Sequence, residues 1–291
     1  NIPIIALTGS NGKTTTKELI NSVLSTQYKT TSTKGNLNNH IGVPLTLLSM
    51  TKATEIGIVE MGANHPKEIE SLCEIVFPDY GVITNFGKAH LEGFGSIEGV
   101  IKAKSELYEH LKAHKKIIFI NQTDPIQLKQ VGEYALTYTF GKKESKGPNP
   151  ILKKSQPLVA LKYKDVIINS HLTGIYNFNN ISIAIAIGEY FKISPDNIKL
   201  ALEHYIPTNN RSQFMTKGSN TILMDAYNAN PSSMSAAISH FAETENPPKI
   251  IILGDMFELG DVSAEEHAAL GQLIASYAFE KVLLVGQHMQ H

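Results

Sequence analysis

The sequence predicts an α/β fold with a mostly parallel sheet flanked by helices. Short apolar runs typical of buried strands occur at 2–7, 56–61, 81–84 and 117–120. Helical patterns lie between them, at 13–24, 66–75 and 97–114. Strands that alternate with helices favour parallel pairing, because each crossover helix covers a face of the sheet. Hydrophobic residues make up 42% of the chain and charged residues 18%, which predicts a packed core.

The second half contains two further groups of elements. Two strands joined by a tight turn are expected at 158–163 and 166–172, after a surface loop at 141–150, and helices at 181–190 and 195–205. A second alternating block has strands at 221–225, 250–253 and 282–285 and helices at 231–241 and 264–277. We therefore expect two domains, 1–208 and 209–291, with a boundary near Asn209. The second is expected to be partial, because the chain stops just after a strand.

Charge and cysteine content exclude several classes of protein. The chain has 291 residues and a net charge of −1, so it lacks the basic excess of a nucleic-acid-binding protein. Its one cysteine, Cys73, cannot form an intrachain disulfide, which fits a reducing cytoplasm. No apolar run approaches the roughly 20 residues of a membrane helix. We expect neither a nucleic acid nor a membrane as a partner.

A glycine-rich turn between the first strand and the first helix predicts a phosphate-binding loop. The run GSNGKT occupies positions 9–14. Glycines let backbone N–H groups approach phosphates, Lys13 would reach the β- and γ-phosphates, and the Thr14 hydroxyl would hold Mg²⁺. The common pattern needs a glycine where this chain has Leu7. The alternative is therefore a glycine-rich turn with an exposed lysine.

One lysine occupies an apolar stripe. In the helix at 97–114, the stripe consists of Ile97, Val100, Ile101, Leu107, Tyr108 and Leu111, and position 104 on the same stripe is a lysine. If Lys104 is buried, its pKa falls or its ammonium finds a partner. The alternative is that Lys104 extends to solvent at the edge of the stripe. Lys102, off the stripe, is an ordinary surface lysine.

Polar side chains follow two strands where a parallel sheet would bring them beside the phosphate loop. Glu60 ends one strand, and Asn85 and His90 follow the next. The carboxylate is the better Mg²⁺ ligand, because Mg²⁺ prefers oxygen donors. A structural or solvated role remains the alternative for Glu60 and His90.

Several ordered segments resemble one known family, the Mur ligases. They are TGSNGKT (8–14), GNLNNHIGVP (35–44), VEMGAN (59–64), AHLEGFG (89–95), DAYNANP (225–231) and LGDMFELG (253–260). Mur ligases are ATP-dependent amide-bond ligases, and these segments look most like the branch that adds D-alanyl-D-alanine. The family's phosphate loop has the shortened form seen here, so the resemblance accounts for Leu7.

The resemblance implies a fold and a reaction. The fold would be a P-loop central domain that binds ATP, followed by a partial Rossmann-like α/β domain. The reaction would join D-Ala-D-Ala to UDP-N-acetylmuramoyl-tripeptide through an acyl phosphate, with ATP and two Mg²⁺ ions, in a cytoplasmic monomer. The family's first domain, which holds the UDP part of the substrate, has no counterpart here. We therefore expect a fragment with weak or no turnover by itself.

The resemblance also implies roles for individual residues. Lys13 and Arg211 would meet the γ-phosphate, and Lys104 would carry a carbamate. Mg²⁺ would be held by Thr14, Glu60 and His90. The nucleotide would contact Gly9, Asn11, Gly12, Thr15 and Asn85 around the phosphates, Asn177 and Asn180 at adenine, and Asp225 at ribose. The substrates would contact Asn36, Asn38, Asn39, Asn228 and Asn230.

Other interpretations remain open at this point. Asn177 and Asn180 could cap a helix, Arg211 could be a surface charge, and Asp225 could cap a strand. The activity could be that of another Mur ligase with a different amino acid or acceptor. It could also be that of a P-loop nucleotide switch, although a switch would not need Lys104 on an apolar stripe.

Overall fold

The computed structural model describes residues 2–208, 210–245 and 248–290. Its centre is a six-stranded sheet whose neighbouring strands are all parallel. In chain order the strands are β1 (Ile4–Thr8), β2 (Thr30–Ser32), β3 (Ile56–Glu60), β4 (Tyr80–Ile83), β5 (Ile117–Asn121) and β6 (Thr137–Phe140). Their order across the sheet is β2-β3-β1-β4-β5-β6. The predicted parallel sheet is confirmed.

Eight helices accompany these strands in the described part of the chain up to residue 208. They are α1 (Lys13–Leu24), α2 (Gly42–Leu48), α3 (Glu68–Val76), α4 (Leu91–Phe94), α5 (Ile97–Ala113), α6 (Pro125–Val131), α7 (Ile175–Tyr190) and α8 (Pro195–His204). Side chains of β1 alternate between two apolar clusters, Ile5 and Leu7 in one and Ala6 in the other. The first cluster includes α1, α7 and α8, and the second includes α3 and α5. Each face of the sheet is therefore covered by helices, as a continuous apolar strand requires.

The start of α7 differs from the prediction. The helix begins at Ile175, with Gly174 at its N-cap, whereas the apolar pattern begins only at 181. Its first turns carry Asn177, Asn179 and Asn180, which have no apolar periodicity to reveal a helix. The alternative in which Asn177 and Asn180 cap a helix is wrong, since both lie inside α7.

A small antiparallel sheet precedes α7. Its strands are β7 (Ile151–Lys154), β8 (Ala160–Tyr163) and β9 (Val166–Asn169). The two predicted strands and their turn at Lys164-Asp165 are found, although β9 ends before residue 172. The predicted loop at 141–150 contains no helix or strand. Strand β7 was not predicted, because it is only four residues long and ends in two lysines.

The C-terminal part contains two separate strand pairs. Its elements are β10 (Gln213–Lys217), β11 (Asn220–Met224), α9 (Pro231–Ala242), β12 (Ile250–Gly254), α10 (Ser263–Ala275) and β13 (Lys281–Val285). The predicted parallel arrangement holds for β12 and β13. However, β11 pairs with the unpredicted β10 in an antiparallel hairpin, whose turn contains Gly218 at a φ of 63°. The predicted boundary residue Asn209 lies outside the described residues, and the division into 1–208 and 209–291 stays a prediction.

The carboxyl ends of three adjacent strands form the edge of the sheet that carries the candidate site. The central strand β1 pairs Leu7 with Glu60 of β3 and Thr8 with Ile83 of β4. Glu60 and the loops that follow β1 and β4 are therefore side by side, which is where ligands of open α/β sheets bind. No helix in the described ranges is long and apolar enough to cross a membrane.

Candidate active site

The loop between β1 and α1 is shaped by two glycines. Gly9 has a φ of 145°, and a Cβ there would lie 2.0 Å from Thr84 Oγ1. Gly12 is the N-cap of α1 with a φ of 78°, and a Cβ there would lie 2.6 Å from Asn180 Oδ1. Any side chain at either position would clash. The loop therefore opens at the N-terminus of a 12-residue helix, a place suited to phosphate.

Asn85, just after β4, forms hydrogen bonds with the backbone of this loop. Its Oδ1 accepts a 3.0 Å hydrogen bond from the Asn11 backbone N–H, and its Nδ2 donates to the Asn11 carbonyl over 2.9 Å. Thr84 Oγ1 donates to the same carbonyl over 2.6 Å. Asn85 thus binds the backbone of the phosphate loop, and it also lines the cavity described below.

Lys13 folds back over the loop. Its Nζ donates to the carbonyl oxygens of Gly9 over 2.8 Å and Ser10 over 3.3 Å. Burial lowers the pKa of Lys13, and the positive charge of Arg211 adds to that effect, while Glu60 opposes it. The lysine is therefore not the fully exposed side chain of the alternative interpretation.

Glu60 is a buried carboxylate in which only one of the two oxygens accepts hydrogen bonds among the described residues. Its Oε1 accepts hydrogen bonds from Thr14 Oγ1 at 3.1 Å and from Asn38 Nδ2 at 2.8 Å. The side chain is 1% exposed, and Oε2 has no hydrogen-bond partner among the described residues. Lys17 Nζ lies 3.9 Å from that oxygen. A buried carboxylate oxygen without a donor is costly, so this atom is suited to a cation.

Thr14 and Glu60 together fit a magnesium ion bound partly by phosphate. No group of three or more His, Cys, Asp and Glu side chains within the described ranges could form a complete metal site. Mg²⁺ commonly uses one or two protein oxygens together with phosphate oxygens and water. A hydroxyl and a carboxylate beside a phosphate loop are that kind of donor set.

His90, the third predicted metal ligand, is engaged with the C-terminal part. Its Nδ1 contacts Glu258 Oε2, and the Glu92 backbone N–H donates to the Glu258 carbonyl over 3.0 Å. Burial lowers the pKa of His90, and the charge of Glu258 opposes this. In this structure His90 therefore contacts Glu258 as well as lining the cavity.

Lys104 is completely buried. It is 0% exposed, its Nζ donates to the Ala63 carbonyl over 2.8 Å, and it lies 5.1 Å from the centre of the Phe94 ring. Burial, followed by the charge of Lys13, holds the pKa of Lys104 well below its ordinary value. The alternative in which Lys104 extends to solvent is wrong. Lys102 is exposed, as predicted.

Asn177 and Asn180 form a buried chain of hydrogen bonds behind the phosphate loop. Thr16 Oγ1 donates to Asn180 Oδ1 over 3.1 Å, and Asn180 Nδ2 donates to Asn177 Oδ1 over 2.9 Å. Asn177 Nδ2 donates in turn to the Thr173 carbonyl over 2.8 Å. The two asparagines connect α7 to the start of α1, and their predicted contact with adenine stays a prediction.

The C-terminal part completes the site. Arg211 is half-buried and stacks on Tyr227, with Cζ 3.7 Å from the ring centre, and its predicted contact with the γ-phosphate stays a prediction. Asp225 Oδ2 accepts a 3.1 Å hydrogen bond from Ser212 Oγ. Asn230 Nδ2 donates to Asn11 Oδ1 of the phosphate loop over 2.7 Å. The two parts of the chain therefore touch at the phosphate loop itself.

Nearly all of the predicted site residues line a single cavity of about 1080 Å³. Two predicted residues are not on its wall. They are Gly9 and Lys104, and the Nζ of Lys104 donates to the carbonyl of Ala63, which does line the cavity. The predicted residues on the wall are Asn11, Gly12, Lys13, Thr14, Thr15, Asn36, Asn38, Asn39, Glu60, Asn85, His90, Asn177, Asn180, Arg211, Asp225, Asn228 and Asn230.

Comparison with known families agrees with this geometry. Residues 7–188 match the Mur ligase middle domain, and residues 210–291 match the domain described as Mur ligase, glutamate ligase domain. This chain belongs to the Mur ligase family. The middle-domain match covers the phosphate loop, Glu60, His90 and Lys104, so the elements that build the site are family elements.

The chain covers part of the length of the individual Mur ligases that it matches. The chain is 37% identical to the UDP-N-acetylmuramoyl-tripeptide–D-alanyl-D-alanine ligase of Bacillus subtilis, covering 98% of this chain and 63% of that protein. It superposes on a crystal structure of MurF from Acinetobacter baumannii with a TM-score of 0.88 and 33% identity, over 99% of this chain and 64% of that one. MurF from Thermotoga maritima in complex with ADP gives a TM-score of 0.82 at 28% identity, over 98% and 70%. The chain thus spans less than two thirds of the first two of these Mur ligases.

Several residues of this Mur ligase site were not predicted from the sequence. Tyr176, Ser212 and Tyr227 line the cavity and hold the predicted residues in place. Lys17, beside Glu60, was also missed. The sequence pattern could have predicted that Lys17 is buried, because Lys17, Ile20 and Leu24 lie on one stripe of α1, just as Lys104 lies on the apolar stripe of α5.

Proposed function

We propose that this chain is the ATP-binding core of a ligase that joins D-alanyl-D-alanine to UDP-N-acetylmuramoyl-tripeptide. One observation carries the proposal. A single cavity brings together the phosphate-loop lysine Lys13, the Thr14–Glu60 pair and Arg211 from the C-terminal part. The Bacillus subtilis relative bears the name of this activity, which supports the choice of substrates. The ligands of the chain are then small molecules.

The reaction has two steps that these residues can serve. A carboxylate oxygen of the acceptor peptide attacks the γ-phosphorus of ATP, ADP leaves, and an acyl phosphate forms. The amine of D-Ala-D-Ala then attacks the acyl carbon, inorganic phosphate leaves, and the amine loses a proton as the amide forms. Lys13 and Arg211 offset the charge of the phosphoryl group as it moves, and the cavity walls align the reactants.

Thr14 and Glu60 are the residues that would hold Mg²⁺, and we assign His90 to a second ion. Bound Mg²⁺ would supply positive charge at the β- and γ-phosphates. Glu60 Oε2 supports this assignment, because it is buried and has no donor in the described part of the chain.

Lys104 is assigned as a carbamate site. A neutral amine adds to CO₂, a C–N bond forms, and one proton leaves to solvent, so the product is a carboxylate. The lowered pKa of Lys104 favours the neutral amine that this addition requires. Intact-mass measurement in bicarbonate should show the mass of one added CO₂, and Lys104→Met should remove it.

Two experiments test the function. In a full-length protein, the purified ligase should form amide product with D-Ala-D-Ala in preference to other amino acids and dipeptides. Preference for another amino acid or acceptor would identify a different Mur ligase, and ATP hydrolysis without any amide product would favour a nucleotide switch. This chain alone should bind ATP·Mg²⁺ but turn over weakly or not at all, and rapid product formation by it would contradict that expectation.

A further inference from the structure

Lys17 is a buried lysine of α1 that contacts two other parts of the site, Glu60 and the backbone at Gly35. Its side chain is 2% exposed, and its Nζ donates to the Gly35 carbonyl over 2.8 Å. The same nitrogen lies 3.9 Å from Glu60 Oε2 and 3.9 Å from Glu18 Oε1. Lys17 therefore links α1 to Glu60 and to residues 35–39, which we call the asparagine segment.

Hydrogen bonds hold the asparagine segment at Gly35 and at Asn38. At one end, the Gly35 carbonyl accepts from Lys17. At the other end, Asn38 Nδ2 donates to Glu60 Oε1, and the Asn38 carbonyl accepts a 2.7 Å hydrogen bond from the Gly62 backbone N–H. Asn36 and Asn39 are exposed side chains that line the cavity. Asn39 Oδ1 also accepts from the backbone N–H groups of Ile41 over 3.1 Å and Gly42 over 2.9 Å. The position of Asn36 thus depends on a backbone held at Gly35 and at Asn38.

Other hydrogen bonds around Gly35 are made by the backbone, from the Thr33 N–H to the Ile58 carbonyl over 3.0 Å and from the Leu37 N–H to the Lys34 carbonyl over 3.2 Å, and neither reaches α1. Gly35 has a φ of 53°, and nothing lies within 4 Å of the point where its Cβ would be, so no other group packs against that side of the residue. A hydrogen bond from a charged, buried ammonium is about twice as strong as a neutral one. The Lys17–Gly35 hydrogen bond therefore joins this end of the segment to α1.

We propose that Lys17 is a positioning residue for the asparagine segment. It fixes Gly35 to the phosphate-binding helix, so that Asn36 and Asn39 meet the substrate in a set place relative to the phosphates. The choice of D-Ala-D-Ala as that substrate rests on the proposed function. The competing account is that Lys17 only neutralises Glu60, and in that case the whole fold, rather than this segment, depends on it.

Hydrogen–deuterium exchange on this chain separates the two accounts without any assay of activity. In Lys17→Met, amides of residues 35–43 should exchange about ten-fold faster or more, because a charged hydrogen bond is lost. Amides of β1 and β5 should keep their protection. Lys17→Arg retains a charged donor and should exchange more slowly than Lys17→Met over 35–43. Lys34→Met, which removes an exposed lysine beside Gly35, is the matched control and should behave as the wild type.

Glu60→Gln gives a second comparison if Lys17→Met destabilises the protein. Glu60→Gln keeps the Lys17–Gly35 bond, so exchange over 35–43 should stay slow. The double variant Lys17→Met/Glu60→Gln has no unpaired buried carboxylate, and its segment should exchange fast. If Glu60→Gln alone loosens the segment as much as Lys17→Met, the proposal is wrong. Equal acceleration over 35–43, β1 and β5 would also overturn it.

Kinetics of a full-length ligase give a functional readout. Lys17→Met should raise the KM for D-Ala-D-Ala by about ten-fold, while the KM for ATP changes by less than about three-fold. Lys34→Met should change neither. An equal rise in both constants, or no rise in the first, would contradict the positioning role. If wild-type protein does not use D-Ala-D-Ala, the proposed function fails and the exchange experiment still decides the role of Lys17.

Discussion

The hydroxyl of Thr14 lies 3.1 Å from Oε1 of Glu60, although 46 residues separate the two in the chain. The contact follows from the topology, since β1 and β3 are neighbours and end at the same edge of the sheet. It joins the first turn of α1 to a buried carboxylate on the wall of the cavity. The other Glu60 oxygen has no donor among the described residues, which makes this pair a natural place for a cation.

Glu60→Gln should abolish the gain in ATP affinity that Mg²⁺ provides. The amide has nearly the same shape and keeps an oxygen for Thr14 and Asn38, but it carries no charge to hold the ion. Calorimetric titration of ATP with Mg²⁺ and with EDTA would measure the effect. Glu133→Gln, at an exposed glutamate, is the control and should keep the full Mg²⁺ dependence. A normal Mg²⁺ response in Glu60→Gln would place the ion elsewhere.

Lys13→Ala should weaken ATP·Mg²⁺ binding by about ten- to a hundred-fold, the value of a hydrogen bond from a charged group. Calorimetry on the same preparation would measure it. The exposed Lys52 provides the control, and Lys52→Ala should bind as the wild type does. Unchanged affinity in Lys13→Ala would mean that the glycine-rich turn is not a phosphate loop.

Lys104→Met should make the stability of the fold less dependent on pH. The folded-state pKa of Lys104 lies well below the ordinary 10.5, so between those two values the unfolded chain binds a proton that the folded chain does not. The free energy of unfolding of the wild type should therefore rise with pH through this window. Lys104→Met lacks that rise.

The measurement is urea unfolding at several alkaline and neutral pH values in bicarbonate-free buffer, so that carbamate does not contribute. Lys102→Met, at the exposed neighbouring lysine, should keep the slope of the wild type. A Lys104→Met slope equal to that of the wild type would mean that the buried amine remains protonated in the folded state.

Asn230 has two roles that two substitutions can separate. Its side chain caps α9 by accepting from the Ser233 backbone N–H over 2.9 Å, and it donates to Asn11 of the phosphate loop. Asn230→Asp keeps a good cap but places a carboxylate against Asn11 Oδ1, so it should weaken ATP·Mg²⁺ binding with little loss of stability. Asn230→Ala loses the cap and should cost about 1 kcal/mol of unfolding free energy.

Calorimetry and thermal unfolding of both Asn230 variants would test this separation. Asn230→Asp should bind ATP·Mg²⁺ more weakly than Asn230→Ala does. Asn230→Ala should be the less stable of the two variants. If both lose stability and affinity to the same extent, the contact with Asn11 does not matter for the nucleotide.

Prediction from the sequence succeeded where local pattern carries the information. The bounds of α1 agree with the prediction, because a glycine-lysine start and the apolar positions Leu19, Ile20 and Val23 mark it clearly. The stripe of α5 identified Lys104 as unusual, but only the packing of Phe94 and Ala63 around it decided between burial and solvent. The start of α7 was missed because its first turns carry asparagines that bond to α1 and to Thr173 instead of packing in an apolar stripe.

The sequence by itself determined the alternation of strands and helices, the phosphate loop and the set of residues that resembles a Mur ligase, because periodicity and short ordered motifs are local properties. The tertiary structure decided which of these residues touch. It placed Asn230 on Asn11, Lys17 on Gly35 and β11 against β10. Such contacts depend on the distance between groups that the fold brings together from remote positions, and the local pattern around either partner does not encode that distance.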